Sequence, residues 1–358
     1  MGFRYIGSKA QIIEQVVQQI RKICDPPAIV CDLMCGTGTV SLALANEGYR
    51  VVANDVMTFS YHHTRCALLV EESPQFRGAQ DFIDKYYVPK RSLLPISSYD
   101  KLISILNKLP KIEGYFYREF SLEGVPKNSQ NPRNYFSPIN ARKIDAVRSE
   151  IKKLRVEGQV TELEHSILIH NLIMAANDVA NIAGTYGHYL SKLRGRACST
   201  FEMMPEPLIV RNNPQHIVLQ GYAEKVSSGI TCDICYIDPP YMKRQYAANY
   251  HILETLARED EPEAIGVSGL RPWRDQYSNF CTKTKIHNSF EEIFTTMDCP
   301  HFLISYSEDG LLTLNQLDDF FSSFGKVTVN KILNKRFKSN GSKLSSHLSE
   351  YIIHIERY

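Results

Sequence analysis

Apolar and polar positions along the chain follow two periods, and the switches between them mark its elements. Ile12, Ile13, Val16, Val17 and Ile20 fall three and four apart, the spacing of one helical face, with Ser8 ahead of them as a helix cap. A short apolar run from Ala28 reaches Asp32, and Val40 to Asn46 reads as a helix closed by Gly48. Tyr49 to Ala53 is then a second strand that stops at Asn54 and Asp55. Strand, glycine turn, helix and strand make a right-handed βαβ unit, with ligand positions expected at the carboxyl ends of its strands. Further strands are expected up to Leu219, over Ile234 to Ile237, and over His301 to Ser305 ahead of the turn Ser307-Glu308-Asp309-Gly310. Val327 to Leu333 and Glu350 to Ile355 read as a hairpin around a basic turn that holds Lys335, Arg336, Lys338 and Lys343.

Residues from about 75 to 205 break that rhythm. Asn140 to Leu154 carries Ile144, Val147, Ile151 and Leu154 on one face, and Arg142, Lys143, Arg148, Lys152 and Lys153 on the other. This predicts an amphipathic helix with a basic exposed side. Thr161 and Glu164 form a capping box ahead of a helix, Leu163 to Ile182, that is apolar almost all round and therefore expected to be buried. In Gly184 to Arg196, aromatic and cationic residues interleave in a glycine-broken loop, which suits a phosphate backbone and a solvated basic loop equally. Gln245 to Arg258 reads as a helix with Tyr246, Tyr250, Leu253 and Leu256 at core spacing and a structural His251, and Gly269 to His287 reads as loop.

Composition narrows the class without deciding it. The 358 residues allow one large domain or two, and 43% apolar with 22% charged residues is ordinary for a soluble globular chain. A formal charge of +2 excludes a global polycation, so any nucleic-acid surface has to be a local patch. Nine cysteines without a repeating spacing, and no secretory leader, read as reduced thiols in a cytoplasmic protein. Cys232 and Cys235 lack a second ligand pair, and no metal site is expected. No apolar run approaches a membrane span.

Candidate chemistry gathers where strands end. Ile234-Cys235-Tyr236-Ile237 runs into Asp238-Pro239-Pro240-Tyr241. Two prolines stop a sheet ladder abruptly and build a rigid corner, leaving the Asp238 carboxylate beyond the sheet edge. Gly36 and Gly38 let backbone approach a ligand closely, and Asp55 after the second strand suits the two hydroxyls of a ribose. Two glycines are not the three of a dinucleotide fingerprint, which favours an adenosine-type ligand without pyrophosphate. Asp32, Asp55 and Asp238 would share one edge of an open α/β sheet.

Taken together these residues resemble the Dam-like, alpha-order class of N6-adenine DNA methyltransferases, in particular the modification enzymes of type II and IIS restriction systems. The likeness rests on Arg4-Tyr5-Ile6-Gly7-Ser8-Lys9, Asp32 to Gly38, Asn54-Asp55, and Asp238 to Tyr241 continuing through Arg244-Gln245-Tyr246 to His251. Asn131 to Phe136, Lys143-Ile144-Asp145, Gly184 to Lys192 and Ser305 to Gly310 add to it. It implies a Rossmann-like class I methyltransferase sheet formed by residues 1–74 and 205–358. A mainly helical target-recognition region, 75–204, would be inserted between them. It implies S-adenosylmethionine as cofactor, held by Tyr5, Lys9, Asp32, Gly36, Gly38 and Asp55. Tyr222 stands where the family commonly offers an acid to the cofactor adenine, so that contact is left unassigned.

The same resemblance implies double-stranded DNA as partner, its target adenine flipped out of the helix. Asp238 and the carbonyl of Pro239 would accept the two amine hydrogens on the rigid Pro239-Pro240 corner, and Tyr241 would stack on the base. Arg244, Tyr186, Lys192, Lys335, Arg336 and Lys338 would contact DNA. A cognate restriction endonuclease without a stable complex, a monomeric state and no membrane association complete the implied setting. Two readings remain beside it. One is a methyltransferase acting on RNA adenine or protein glutamine, the latter disfavoured because those enzymes carry Asn where this chain has Asp238. The other is a non-catalytic DNA-binding module on the same fold.

Overall fold

The computed structural model describes residues 9–89, 95–211, 215–335 and 347–358. The chain forms two compact units. One comprises Gly7–Thr64, Pro214–Tyr246 and Gln276–Tyr358, and the other Met1–Ile6, Arg65–Asn213 and Ala247–Asp275.

The first unit is built on a seven-stranded sheet. Its strands are β1 (Ile29–Asp32), β2 (Arg50–Asp55), β3 (Ile217–Gln220), β4 (Ile234–Ile237), β5 (His301–Ser307), β6 (Gly325–Lys335) and β7 (His347–Arg357). Their order is β3-β2-β1-β4-β5-β7-β6. The first five pair in parallel, and β7 runs antiparallel to both β5 and β6. All four residues of β4 are buried, as befits a central parallel strand covered on both faces. The chain winds outward from β1 through β2 to β3, then returns to place β4 on the other side of β1. That reversal is the switch point at which open α/β sheets bind ligands. Asp32 and Tyr236 are partners in register, so Asp238 leaves the sheet beside Asp32 although 206 positions separate them.

On one face Cys31, Cys235, Ile237, Phe302, Ile304, Ile353 and Ile355 join a core with Phe280, Phe290, Phe294 and Phe321. The last three phenylalanines come from the helices Ile286–Thr296 and Leu314–Phe321, and the Phe294 ring centroid lies 4.5 Å from that of Phe302. Neither helix was expected. The stretch read as loop, Gly269 to His287, contains two 3-10 turns and already begins the first of them. The expected βαβ unit and closing hairpin are present. The hairpin is longer than expected, pairing Gly325 with Arg357 through to Lys335 with His347.

The second unit is mainly helical and takes in the expected insert, 75–204, together with Ala247–Asp275. The Thr161–Glu164 capping box is formed in both directions and opens the buried helix Glu162–Asp178. That helix stops before Ile182, which pairs with Tyr189 in an isolated bridge. The basic side of the helix Pro138–Val156 departs from expectation. Lys143 and Arg148 are buried: Lys143 donates to the Leu109 carbonyl and Arg148 to that of Asp260, while Lys152 donates to Glu259. Lys143 and Arg148 thus satisfy carbonyls at helix ends rather than face solvent, because a long alkyl stem can be buried when its head finds an acceptor. Arg133 is fully buried, donating to Glu119 and to the carbonyls of Ala264 and Gly266. Gln245 to Arg258 is two short helices, Tyr246–Asn249 and His251–Arg258, broken at Tyr250.

Phe294 joins helix to sheet, so Phe294→Ala should remove about 3–5 kcal/mol of stability. The check is urea unfolding followed by far-UV circular dichroism, in which an unshifted midpoint would show that the aromatic cluster does not hold the sheet.

Candidate functional site

The glycine turn after β1 is fastened to the end of β2. Cys35 N–H donates to the Asn54 carbonyl, and the Asn54 amide side chain donates to the carbonyls of Leu33 and Gly221. One Asp55 oxygen accepts from Gly36 N–H at 2.8 Å and the other from Met57 N–H at 2.8 Å. Gly36 and Gly38 have φ of 53° and 67°, the left-handed region that favours glycine. Gly38 is also the N-cap of the helix Thr39–Asn46, so the turn delivers bare backbone and a helix N-terminus at the sheet edge. Asp32 is buried and accepts from the Ser41 hydroxyl at 2.6 Å. Burial pushes its carboxyl up to about 7; the Ser41 hydrogen bond opposes the rise, and the neighbouring Asp238 and Asp55 add to it.

β4 ends at the opposite side of the switch point in Asp238, whose side chain is 18% exposed. Lys9, at the start of the 3-10 turn Lys9–Gln11, brings its ammonium to 3.1 Å from Asp238 Oδ1 and 3.5 Å from Glu350 Oε2. Both oxygens are buried, and the one ammonium serves the two carboxylates. Burial pushes the Asp238 carboxyl up to about 6 against the pull of Lys9, and Glu350 pushes it the same way as burial. Burial would lower the Lys9 ammonium, but Asp238, Tyr241 and Glu350 together hold it above its ordinary value. The same ammonium lies 5.2 Å from the centroid of the Tyr241 ring, which packs on Tyr306 at 5.6 Å. Tyr241 accepts at its carbonyl from Leu311 N–H, which fixes the proline corner to the turn after β5.

Thus Lys9, Asp32, Gly36, Gly38, Asp55, Asp238 and Tyr241, with Pro239 and Pro240 between the last two, gather at the carboxyl ends of β1, β2 and β4. Arg244 and Lys192 are exposed. Tyr186, expected at a DNA surface, is fully buried and has to be withdrawn as a contact. Its hydroxyl donates to Asn177 and its carbonyl accepts from Tyr135 and His251, so it anchors the loop instead of facing solvent. Tyr5, Arg336 and Lys338, and the side chain of Lys335, lie outside the described residues. Glu350 was not singled out by sequence. Its signal is an acid two residues before the buried Ile352, on the same face of the strand.

A family model for the D12 class of N6 adenine-specific DNA methyltransferases matches residues 5–320. The chain belongs to that family. Among its relatives, the type II methyltransferase M.FokI of Planomicrobium okeanokoites is 32% identical, the match covering 99% of this chain and 52% of that protein. M.NlaIII of Neisseria lactamica is 30% identical over 96% of this chain and 95% of its own length. M.CviAII of Paramecium bursaria Chlorella virus 1 is 28% identical over 98% and 97%. The chain therefore spans about half of M.FokI but nearly all of the other two. Membership in the D12 class brings S-adenosylmethionine as methyl donor and DNA as substrate, and among the described residues no helix is long and apolar enough to cross a membrane. The bare glycine turn, the acid after β2 and the partly exposed Asp238 carboxylate fit that cofactor and an amine acceptor beside it.

Asp32 binds its proton more readily folded than unfolded, so native stability falls as pH rises from about 4 to about 7 and levels off above that. Thermal melts of the wild type should lose stability as pH rises from about 4 to about 7, partly through Asp32 and partly through Asp238. Asp32→Asn should flatten that slope, and an identical slope in the variant would refute the assignment.

Proposed function

We propose that this chain is a site-specific modification enzyme that methylates the N6 amine of an adenine flipped out of duplex DNA. The observation that supports it most is Asp238: its carboxylate is held at Oδ1 by Lys9 yet keeps 18% of the side chain exposed, on a corner stiffened by two prolines. The adenine amine is a weak nucleophile because its lone pair is delocalised into the ring. Asp238 and the Pro239 carbonyl accept its two hydrogens, which draws the nitrogen toward a tetrahedral form with a free lone pair. Because proline fixes these acceptors in advance, little reorganisation accompanies the developing charge. S-adenosylmethionine supplies, when bound, an electrophilic methyl group on a sulfonium. After the new carbon–nitrogen bond forms, Asp238 takes one N6 proton and later releases it to water.

Tyr241 stacks on the extruded base and replaces part of the stacking it lost. Asp55 would hold the ribose hydroxyls, and the Gly36–Gly38 backbone would lie against the methionine portion of the cofactor. Lys9 balances Asp238 and Tyr5 completes the cofactor side. Lys192 and Arg244 contact DNA, with Lys335, Arg336 and Lys338 holding its backbone. Residues 75–204 supply target recognition. The likeness to type II enzymes supports a place in a restriction–modification system, with a cognate endonuclease that need not form a complex. A monomer suffices, since each event modifies one strand. The reduced thiols and the DNA substrate agree with the cytoplasm.

Transfer of labelled methyl to unmethylated genomic DNA should fall at least about a hundredfold in Asp238→Ala while cofactor binding persists. The acid limb of the wild-type profile should lie near pH 6, activity being lost as Asp238 is protonated below it. Label on RNA and none on DNA would overturn the substrate. Lys192→Ala and Arg244→Ala should each weaken DNA binding alike across sequences and reduce the slope of log affinity against log salt by about one. Unchanged slopes would remove these residues from the interface.

A further inference from the structure

We propose that Glu350 is a positioning residue for the reaction, sharing Lys9 with Asp238 so that the Asp238 carboxylate remains a strong acceptor for the substrate amine. This rests on the reading of Asp238 as the acceptor. An ammonium and a carboxylate left alone in a poorly hydrated site close into an aligned hydrogen-bonded pair, and a carboxylate so engaged is a weaker acceptor. Here Lys9 stands between two carboxylates, 3.1 Å from Asp238 and 3.5 Å from Glu350, so neither acid holds it alone. The second acid is not at the surface by accident. Glu350 is 13% exposed and lies on β7 opposite Ser307 of β5 and Ile332 of β6, in the interior of the sheet. With one cation between two acids the cluster also keeps a net negative charge, which favours an amine that becomes cationic as it is methylated.

The titratable groups around this pair come from every element that meets it. Lys9 faces both acids from its 3-10 turn, and Tyr236 and Tyr241 face them from β4 and the proline corner. Asp32 acts on Asp238 from β1. β5 and β6 place no titratable residue in register with Glu350. Two like charges on one cation oppose each other's ionisation, so removing Glu350 lets Lys9 close on Asp238 and lowers its titration midpoint.

The test uses the full chain and two readouts. Glu350→Gln should melt within a few degrees of the wild type and bind S-adenosylmethionine equally well. Its acid limb for methyl transfer to unmethylated DNA should move down by about one pH unit, with a plateau rate reduced about tenfold. Glu350→Asp, which keeps the charge but retracts it, should move the limb less, and it serves in place of Gln if that variant does not fold. Independently of activity, carbon-13 carboxyl NMR should show a lower Asp238 midpoint in the variant, the resonance being identified by its loss in Asp238→Asn. Equal limbs and equal midpoints, whatever the change in rate, would overturn the role of Glu350 and leave Asp238 untouched. A wild type that transfers no methyl but shows the shifted midpoint would instead refute the proposed function and keep the coupling.

Discussion

One lysine stands where three strands would otherwise put too much negative charge. The parallel sheet reverses direction between β1 and β4, and that reversal brings the acids at their ends together in a place with little water. Asp32 and Asp238 are both shifted toward protonation by burial, and each raises the other's cost of ionisation. Lys9 is the compensating charge. Its ammonium touches Asp238, reaches Glu350 and lies against Tyr241, so the corner, the last strand and the amino-terminal turn meet on one nitrogen. The rest of the edge is backbone tied to backbone, from Asp55 on Gly36 to Asn54 on Leu33 and Gly221.

Such an edge separates two kinds of task. The β1–β2 half is knitted by amides and one carboxylate, and its geometry is determined locally by the glycine turn. The β4 half depends on electrostatics between residues far apart in sequence, and its geometry is determined by what surrounds Lys9. A change in the first half would be felt as altered placement of a ligand, a change in the second as altered chemistry.

Much of this was legible in the sequence because it is local. The βαβ unit needs only an apolar run, Gly36-Thr37-Gly38 and a second run, and the Asp238 corner announces itself through two adjacent prolines. The capping box at Thr161 is a four-residue signal. What escaped depends on partners that no short window contains. The helix Ile286–Thr296 has core spacing, but polar and aromatic residues before it hid its start. Lys143 and Arg148 read as a solvated face because nothing in their neighbourhood shows that the carbonyls of Leu109 and Asp260 await them. Tyr186 read as a surface aromatic among cations, whereas Asn177, Tyr135 and His251 hold it inside. Glu350 becomes meaningful only once β7 is seen to lie near Lys9.

The position of β7 has a further consequence. It follows β6 in the chain, yet it sits between β5 and β6, so the sheet has a gap until it arrives. A ribosome making this protein would have laid down the glycine turn, the proline corner and β6 before Glu350 emerged. Until then β5 and β6 present unpaired edges toward each other, which invites either waiting or misassociation. The growing polypeptide would thus carry every acid of the β1–β4 edge while lacking the carboxylate that shares the lysine. Competence of the second half of the edge therefore waits on β7.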